Sequence, residues 1–328
     1  MNAWRSLSRS LLLLMLAFAL GGCQKDARAP LRIGINPWPG YEFLYLAREL
    51  DLFAAEGIDV QIVEYNSLPD ALHAFQRGQL DGMGATLIEV LMARSDSDHK
   101  AVIAYVTDYS NGADVIVANS YVPDVAALKG KRVGVELGSL GVFLLARALE
   151  RSGLTLDDVR AVSTDQLSME RKLAVGALDA VVTYPPFAVS VSALPGAHRI
   201  FSSAELPGEI VDVIAFDQEI LKTRRADAAA LIRTFQRAQR WAKEQPQKAY
   251  EIMARREGLT PEAFHQALTE GIALPSPQEQ EALLRKGGSI ADALVRANDI
   301  LMHSGQMTTS GDPEHAFTDM LIDPQHRE

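Results

Sequence analysis

Two stretches ninety-eight residues apart repeat one arrangement. Gly78-Gln79-Leu80-Asp81 runs into an apolar segment that reaches Thr86, and Gly176-Ala177-Leu178-Asp179 runs into another that reaches Thr183. Each closes an amphipathic stretch and opens a short strand-like one. Around both, short apolar runs alternate with helix-period segments, the pattern of parallel α/β units. A match of four residues is weak by itself. The equal context on both sides points to two lobes of similar α/β design rather than one large sheet, and 328 residues suffice for two domains.

Local signals agree. Residues 31–35 form a short strand leading into the loop Asn36-Pro37-Trp38-Pro39-Gly40-Tyr41, after which Phe43, Leu46, Ala47 and Leu50 mark one face of a helix. Ile58, Val60 and Ile62 alternate as a strand does. Ser67-Leu68-Pro69-Asp70 has the composition of a helix start, with Ser at the cap and Pro early in the first turn. Strand-like runs follow at 101–106, 115–118, 131–136 and 211–216, and beyond the last of them the chain reads as helical to its end. No flexible linker separates the lobes, so strands crossing between them are expected.

The N-terminus reads as a leader. Residues 1–10 carry Arg5 and Arg9 and no acid, an apolar run of ten residues follows, and Leu20-Gly21-Gly22-Cys23 resembles a bacterial lipobox. Ten apolar residues are too few for a permanent span. Cys23 is the sole cysteine, so it has no internal disulfide partner, and it stands where acylation requires it. The expectation is a signal peptide at 1–22, a lipid anchor at Cys23 and a polar tether over 23–30. An ordinary cleaved leader with a stray thiol is the alternative. Net charge is −10 and no basic run occurs, which argues against nucleic acid as a partner.

Further motifs carry a resemblance. Besides the Asn36–Tyr41 loop they are Leu46-Ala47-Arg48-Glu49, Gly57-Ile58-Asp59-Val60, the two Gly-x-Leu-Asp segments, and Leu128-Lys129-Gly130-Lys131-Arg132-Val133-Gly134-Val135. Together, in order and spacing, they resemble the nitrate/sulfonate/taurine and thiamine-precursor group of ABC-transporter solute-binding proteins, over about residues 31–320. The resemblance implies a type II periplasmic-binding-protein fold: two α/β lobes, a central ligand cleft and a two-strand hinge, with crossovers expected at 114–117 and 211–216. Lobe 1 is then 31–113 plus 213–328, with the C-terminal helices, and lobe 2 is 114–212. It also implies a monomer on the periplasmic side of a bacterial membrane. The chain would hand a small molecule to the permease of an ABC importer or present it to a membrane sensor.

In open parallel sheets ligands sit beyond the carboxyl ends of strands. Those exits carry Trp38, Tyr41, Glu42, Asn66, Thr86, Asp108, Asp114, Glu136, Ser139, Asp165, Thr183 and Tyr184, the candidate ligand-binding residues. Aromatics make up only 7% of the chain, yet Trp38, Tyr41, Tyr65, Tyr109 and Tyr184 all lie at or beside exits. Any one of them could equally cap the core, and any one acid could be a solvated cap. The joint pattern of five acids without a Lys or Arg says more. It suits an amine, while helix starts at Ser67 and Ser139 could hold an anionic group through backbone N–H. An amine, a zwitterion and a sulfonate-like solute all remain open.

No Ser/His/Asp spacing, metal cluster or Gly-rich phosphate loop stands out, and the seven His are scattered. The expectation is therefore no catalysis, no metal and no cofactor. Cofactor-precursor synthases related to this group use a Cys-rich segment that a chain with one Cys lacks. Replacing Cys23 with Ser is expected to leave the protein soluble or unprocessed. Fractionation after a high-salt wash checks this, and a variant that sediments with membranes as the parent does refutes the anchor.

Overall fold

The computed structural model describes residues 29–321. The leader expected at 1–22, Cys23 and the expected tether up to residue 28 lie outside the described residues. No described helix is long and apolar enough to cross a membrane.

Eleven strands make two sheets among the described residues. In chain order they are β1 (Leu31–Ile35), β2 (Val60–Glu64), β3 (Gly82–Thr86), β4 (Ala101–Ser110), β5 (Val115–Ala118), β6 (Arg132–Val135), β7 (Arg160–Ser163), β8 (Ala180–Thr183), β9 (His198–Ser202), β10 (Val211–Asp217) and β11 (Ile272–Ala273). The first sheet runs β11-β4-β10-β3-β1-β2 and the second β7-β6-β8-β5-β9. In each, a parallel trio comes first: β2, β1 and β3 in one, β7, β6 and β8 in the other. An antiparallel strand follows, β10 beside β3 or β5 beside β8. β5 enters the second sheet directly after β4 leaves the first, and β10 makes the return.

The repeated Gly-x-Leu-Asp segments do the same work twice. The Asp81 carboxylate accepts from the backbone N–H of Arg32 at 2.8 Å and from its Nη2 at 2.7 Å, while that guanidinium also reaches the Gly78 carbonyl. Asp179 accepts from the backbone N–H of Arg132 at 2.8 Å and its Nη2 at 2.9 Å, with Gly176 as the matching carbonyl. Each Asp satisfies the otherwise open start of a central strand, β1 or β6, and pins the helix end that precedes β3 or β8. The leucine between them fills the space over a strand glycine, Leu80 on Gly34 and Leu178 on Gly134.

Helix caps fall where side-chain chemistry puts them. Ser67 accepts from the Asp70 N–H at 3.2 Å and starts the helix Leu68–Gln76, with Gly78 in the left-handed conformation just past its end. The long helix Arg225–Glu244 packs on the first sheet through Phe235, whose ring meets Phe43 and Tyr105 edge-on at 5.6 and 5.4 Å.

Two expectations change. The chain does not turn wholly helical after β10, because β11 pairs with the far end of β4 and covers that edge. The passages between sheets fall at 111–114 and 203–210, ahead of the strands expected to make them. β5 and β10 find ladder partners along their whole lengths, so the bends are left to the segments before them, where Gly112 takes a φ of +112°.

Asp81→Ala removes the acceptor of a half-buried backbone N–H and is expected to cost about 1–3 kcal/mol, read as a lower urea midpoint with unchanged m-value.

Candidate functional site

The C-terminal ends of the central strands of both sheets meet around a small cavity. The loop after β1 contributes Asn36, Trp38 and Tyr41, the end of β3 contributes Thr86, and β10 contributes Asp212. Asp114, Leu140 and Tyr184 close it from the side of the second sheet, with Leu68 at the edge. The space between them is about 10 Å³, room for about one water.

Backbone requirements explain the approach. A Cβ on Gly40 would overlap the Asp108 carboxylate, and one on Gly84 would lie 3.1 Å from the Tyr41 ring. Glycine at both positions lets the β1 loop fold down onto the sheet. Trp38 then donates its indole N–H to Asp108 at 3.2 Å, and Tyr41 donates its hydroxyl to Asp212 at 2.6 Å.

Trp38 and Tyr184 meet across the cavity edge-to-face, ring centroids 6.2 Å apart. The Tyr184 hydroxyl donates to Glu136 at 3.4 Å and accepts from the Asn36 amide at 3.5 Å. A third link between the two sides runs through Glu89, on the helix Leu87–Asp96. One of its oxygens accepts from the Leu140 N–H at 2.8 Å and the other from the Thr86 N–H at 3.0 Å.

The electrostatics are one-sided. Asp108, Asp114, Glu136, Asp212 and Glu89 are all buried, and among the described residues none has a Lys or Arg against it. Asp108 and Asp212 stand directly opposite on β4 and β10, an arrangement that like charges disfavour. One oxygen each of Asp114, Glu136 and Asp212, the Asn36 carbonyl oxygen and the Thr183 hydroxyl have no protein hydrogen-bond partner. Burial, with the charge of Glu89 added, pushes Asp114 and Glu136 up to about 7. Burial and the neighbouring acids hold Asp212 well above the usual carboxylate range, and Asp108 is raised for the same reasons.

Of the twelve sequence candidates, Trp38, Tyr41, Thr86, Asp114 and Tyr184 line the cavity. Asp108 and Glu136 hold two of those aromatics. Ser139 caps the helix Leu140–Arg151, and Thr183 ends β8. Three lie elsewhere. Glu42 is fully buried against Arg256, whose Nε reaches both its oxygens at 2.6 and 2.8 Å, because its helix turns it toward the C-terminal helices. Asp165 is exposed and caps the helix Gln166–Ala174 by accepting from Ser168 N–H at 3.0 Å. Asn66 is exposed one residue before the Ser67 cap. Sequence reasoning passed over Glu89 and Asp212. The signal for both was a single acid inside an apolar run, Leu87-Ile88-Glu89-Val90-Leu91 and Val211-Asp212-Val213-Ile214.

Two α/β sheets of matching order, exchanging one strand each and meeting at their carboxyl ends, define the periplasmic-binding-protein fold. The chain belongs to the NMT1-like family, whose model matches residues 24–256. An inferred binding protein of Brucella abortus (strain 2308) is 24% identical over 296 residues, 88% of this chain and 90% of that one. The alkanesulfonate-binding protein SsuA from Xanthomonas axonopodis pv. citri, solved bound to MOPS, superposes with a TM-score of 0.76 at 20% identity, over 89% of this chain and all of that one. The periplasmic aliphatic sulphonate binding protein SsuA from Escherichia coli gives 0.72 at 19% identity, over 88% and 92%.

The raised carboxyls set a sign for stability against pH. Between about pH 4 and 7 the unfolded chain has released the protons of Asp108, Asp114 and Glu136 while the folded chain keeps them, so stability falls as pH rises through this window, and Asp212, held higher still, carries the fall beyond it. Asp81, held low by Arg32, acts only below that window. The thermal midpoint without added solute is expected to drop by several degrees from pH 5 to 8, measured by calorimetry. The Asp114→Asn, Glu136→Gln double variant should reduce the slope, with Asp108 and Asp212 supplying what is left.

Proposed function

We propose that this chain is an extracytoplasmic, lipid-anchored solute-binding protein whose two lobes close on a small organic cation and deliver it to the permease of an ABC importer. No chemistry is done on the solute. The fold alone does not decide between binding and catalysis. The reading rests on one observation: the cavity where the lobes meet is walled by aromatics and buried carboxylates with unpaired oxygens and, among the described residues, by no Lys or Arg.

An ammonium group answers each part of that inventory. Its N–H groups supply the donors that Asp114 Oδ2, Asp212 Oδ2 and Glu136 Oε1 lack, and its charge offsets the repulsion among the acids. A cation over an aromatic face gains about 0.5–2 kcal/mol, and a charge-assisted hydrogen bond about 1.5–3 kcal/mol. The relatives named for sulfonates support the solute-binding class. The composition of this cavity supports the opposite charge preference, since neither Lys nor Arg lines it. A space of about 10 Å³ admits no organic solute, so Trp38 and Tyr184 must part before one enters and close over it afterwards.

A thermal-shift screen of amines, zwitterions, sulfonates and inorganic anions tests the reading. Amines or amine-bearing zwitterions are expected to stabilise the protein, more at pH 8 than at pH 6 because the carboxyls ionise through about 7. Trp38→Ala should weaken binding at least about tenfold, or 1.4 kcal/mol. Stabilisation by nitrate, sulfate or sulfonates alone, equal in Trp38→Ala, rejects it.

A further inference from the structure

Helix N-termini are where a fold of this kind would seat a ligand's anionic group, since their first N–H groups point outward unpaired and carry the positive end of the dipole. Two such starts face the cavity. The helix Leu87–Asp96 begins after Thr86, and the helix Leu140–Arg151 begins after Ser139. They have ten and twelve residues and come from opposite sides of the cavity.

Neither start offers the cavity its cap-turn N–H groups in full. Ser139 Oγ accepts from the Gly141 N–H at 3.3 Å, and the Ser139 carbonyl takes Val142 N–H at 3.2 Å, which leaves the Leu140 N–H. That donor goes to Glu89 Oε1 at 2.8 Å. On the other helix the Thr86 hydroxyl takes the Ile88 N–H at 3.2 Å, and the Thr86 N–H goes to Glu89 Oε2 at 3.0 Å. One side chain, only 1% exposed, therefore takes the open donor at the start of the second helix while it closes the capping box of its own. It does so beside Asp114 and Asp212, whose unpartnered oxygens lie in residues only 3% exposed that line the same cavity. The protein carries its own oxyanion where a ligand's would bind, and leaves acceptors where a ligand's donors would bind.

We propose that Glu89 is the specificity-determining residue of the cleft: its carboxylate, held by its own capping box, takes the open donor of the facing helix start at Leu140 and places a negative charge between the two helix starts, so the site rejects sulfonates and other oxyanions and favours cations. The proposal rests on this cleft being the solute site and goes further by assigning the charge preference to one residue. Glu89 also ties the two sides together, because Thr86 and Leu140 belong to different sheets' helices. Removing it changes both what binds and how readily the lobes part.

The experiment compares methanesulfonate, sulfate and a set of alkylamines by titration calorimetry on the parent, Glu89→Ala and Glu89→Gln. Glu89→Ala frees both N–H groups and is expected to bind methanesulfonate at least about tenfold more tightly than the parent, with weaker amine binding. Glu89→Gln keeps the shape but can satisfy only one of the two donors, so it should show a smaller gain and serves if the Ala variant fails to fold. Methanesulfonate bound by the parent as tightly as by either folded variant overturns the assignment. The amine titrations read the functional proposal separately. A parent that binds no amine, beside a Glu89→Ala variant that gains methanesulfonate, rejects the cationic solute and keeps the role of Glu89. Amine binding by the parent with no gain in either variant does the reverse.

Discussion

Asp108 on β4 and Asp212 on β10 face each other across an antiparallel ladder, both buried, with Asp114 and Glu136 close by and no cation against any of them among the described residues. Burying ionised carboxylates unpaired costs several kcal/mol each, and the usual escape is to keep the proton. Raised carboxyls are that escape, and they leave the cleft protonated near neutral pH. Trp38, Tyr41 and Tyr184 each give one donor to this group, and one oxygen each of Asp114, Glu136 and Asp212 is still left without a partner. A cleft arranged this way suits the cationic solute proposed above.

The rest of the molecule serves to hold those acids in place. Each sheet supplies a parallel trio whose carboxyl ends point at the other sheet, and the exchange of β5 and β10 locks the trios into one body. The Arg32–Asp81 and Arg132–Asp179 pairs secure the amino ends of β1 and β6, far from the cavity, so the exits opposite are presented by well-anchored strands. Gly40 and Gly84 then let the aromatic loop collapse onto the acids. The same division places charge pairs at one end of each sheet and, among the described residues, acids without a cation at the other. That separates what stabilises the fold from what would bind a solute.

The role proposed for Glu89 would let a shared fold change ligand class with little change in backbone. The sulfonate-binding relatives named above have the same architecture at about 20% identity. On the reading proposed above, a single carboxylate between two helix starts would alter the charge that a cleft of this geometry accepts, because helix termini contribute partial charges that a side chain can neutralise locally. Fold and family therefore constrain the class of activity here more strongly than they constrain the solute.

Much of the fold was legible in the sequence because it is written in local terms. Strand alternation, the Ser67 cap and the doubled Gly-x-Leu-Asp depend on residues near one another in the chain, and a repeated pattern implies a repeated unit. The exits were legible for the same reason, and so were Trp38, Asp114 and Tyr184 as residues beside them. Glu42 and Asp165 carried the same local signature as those residues. Only the packing of the C-terminal helices, which brings Arg256 to Glu42 across more than two hundred positions, set it apart. Asp212 and Glu89 sit mid-element, where sequence marks them only as lone acids in apolar runs. Whether such an acid is paired, capped or left open depends on which distant elements reach it. The sequence alone determined two α/β lobes with acids and aromatics at their facing ends. Tertiary structure decided which acids remain without a cation, because burial and charge pairing are properties of neighbours in space.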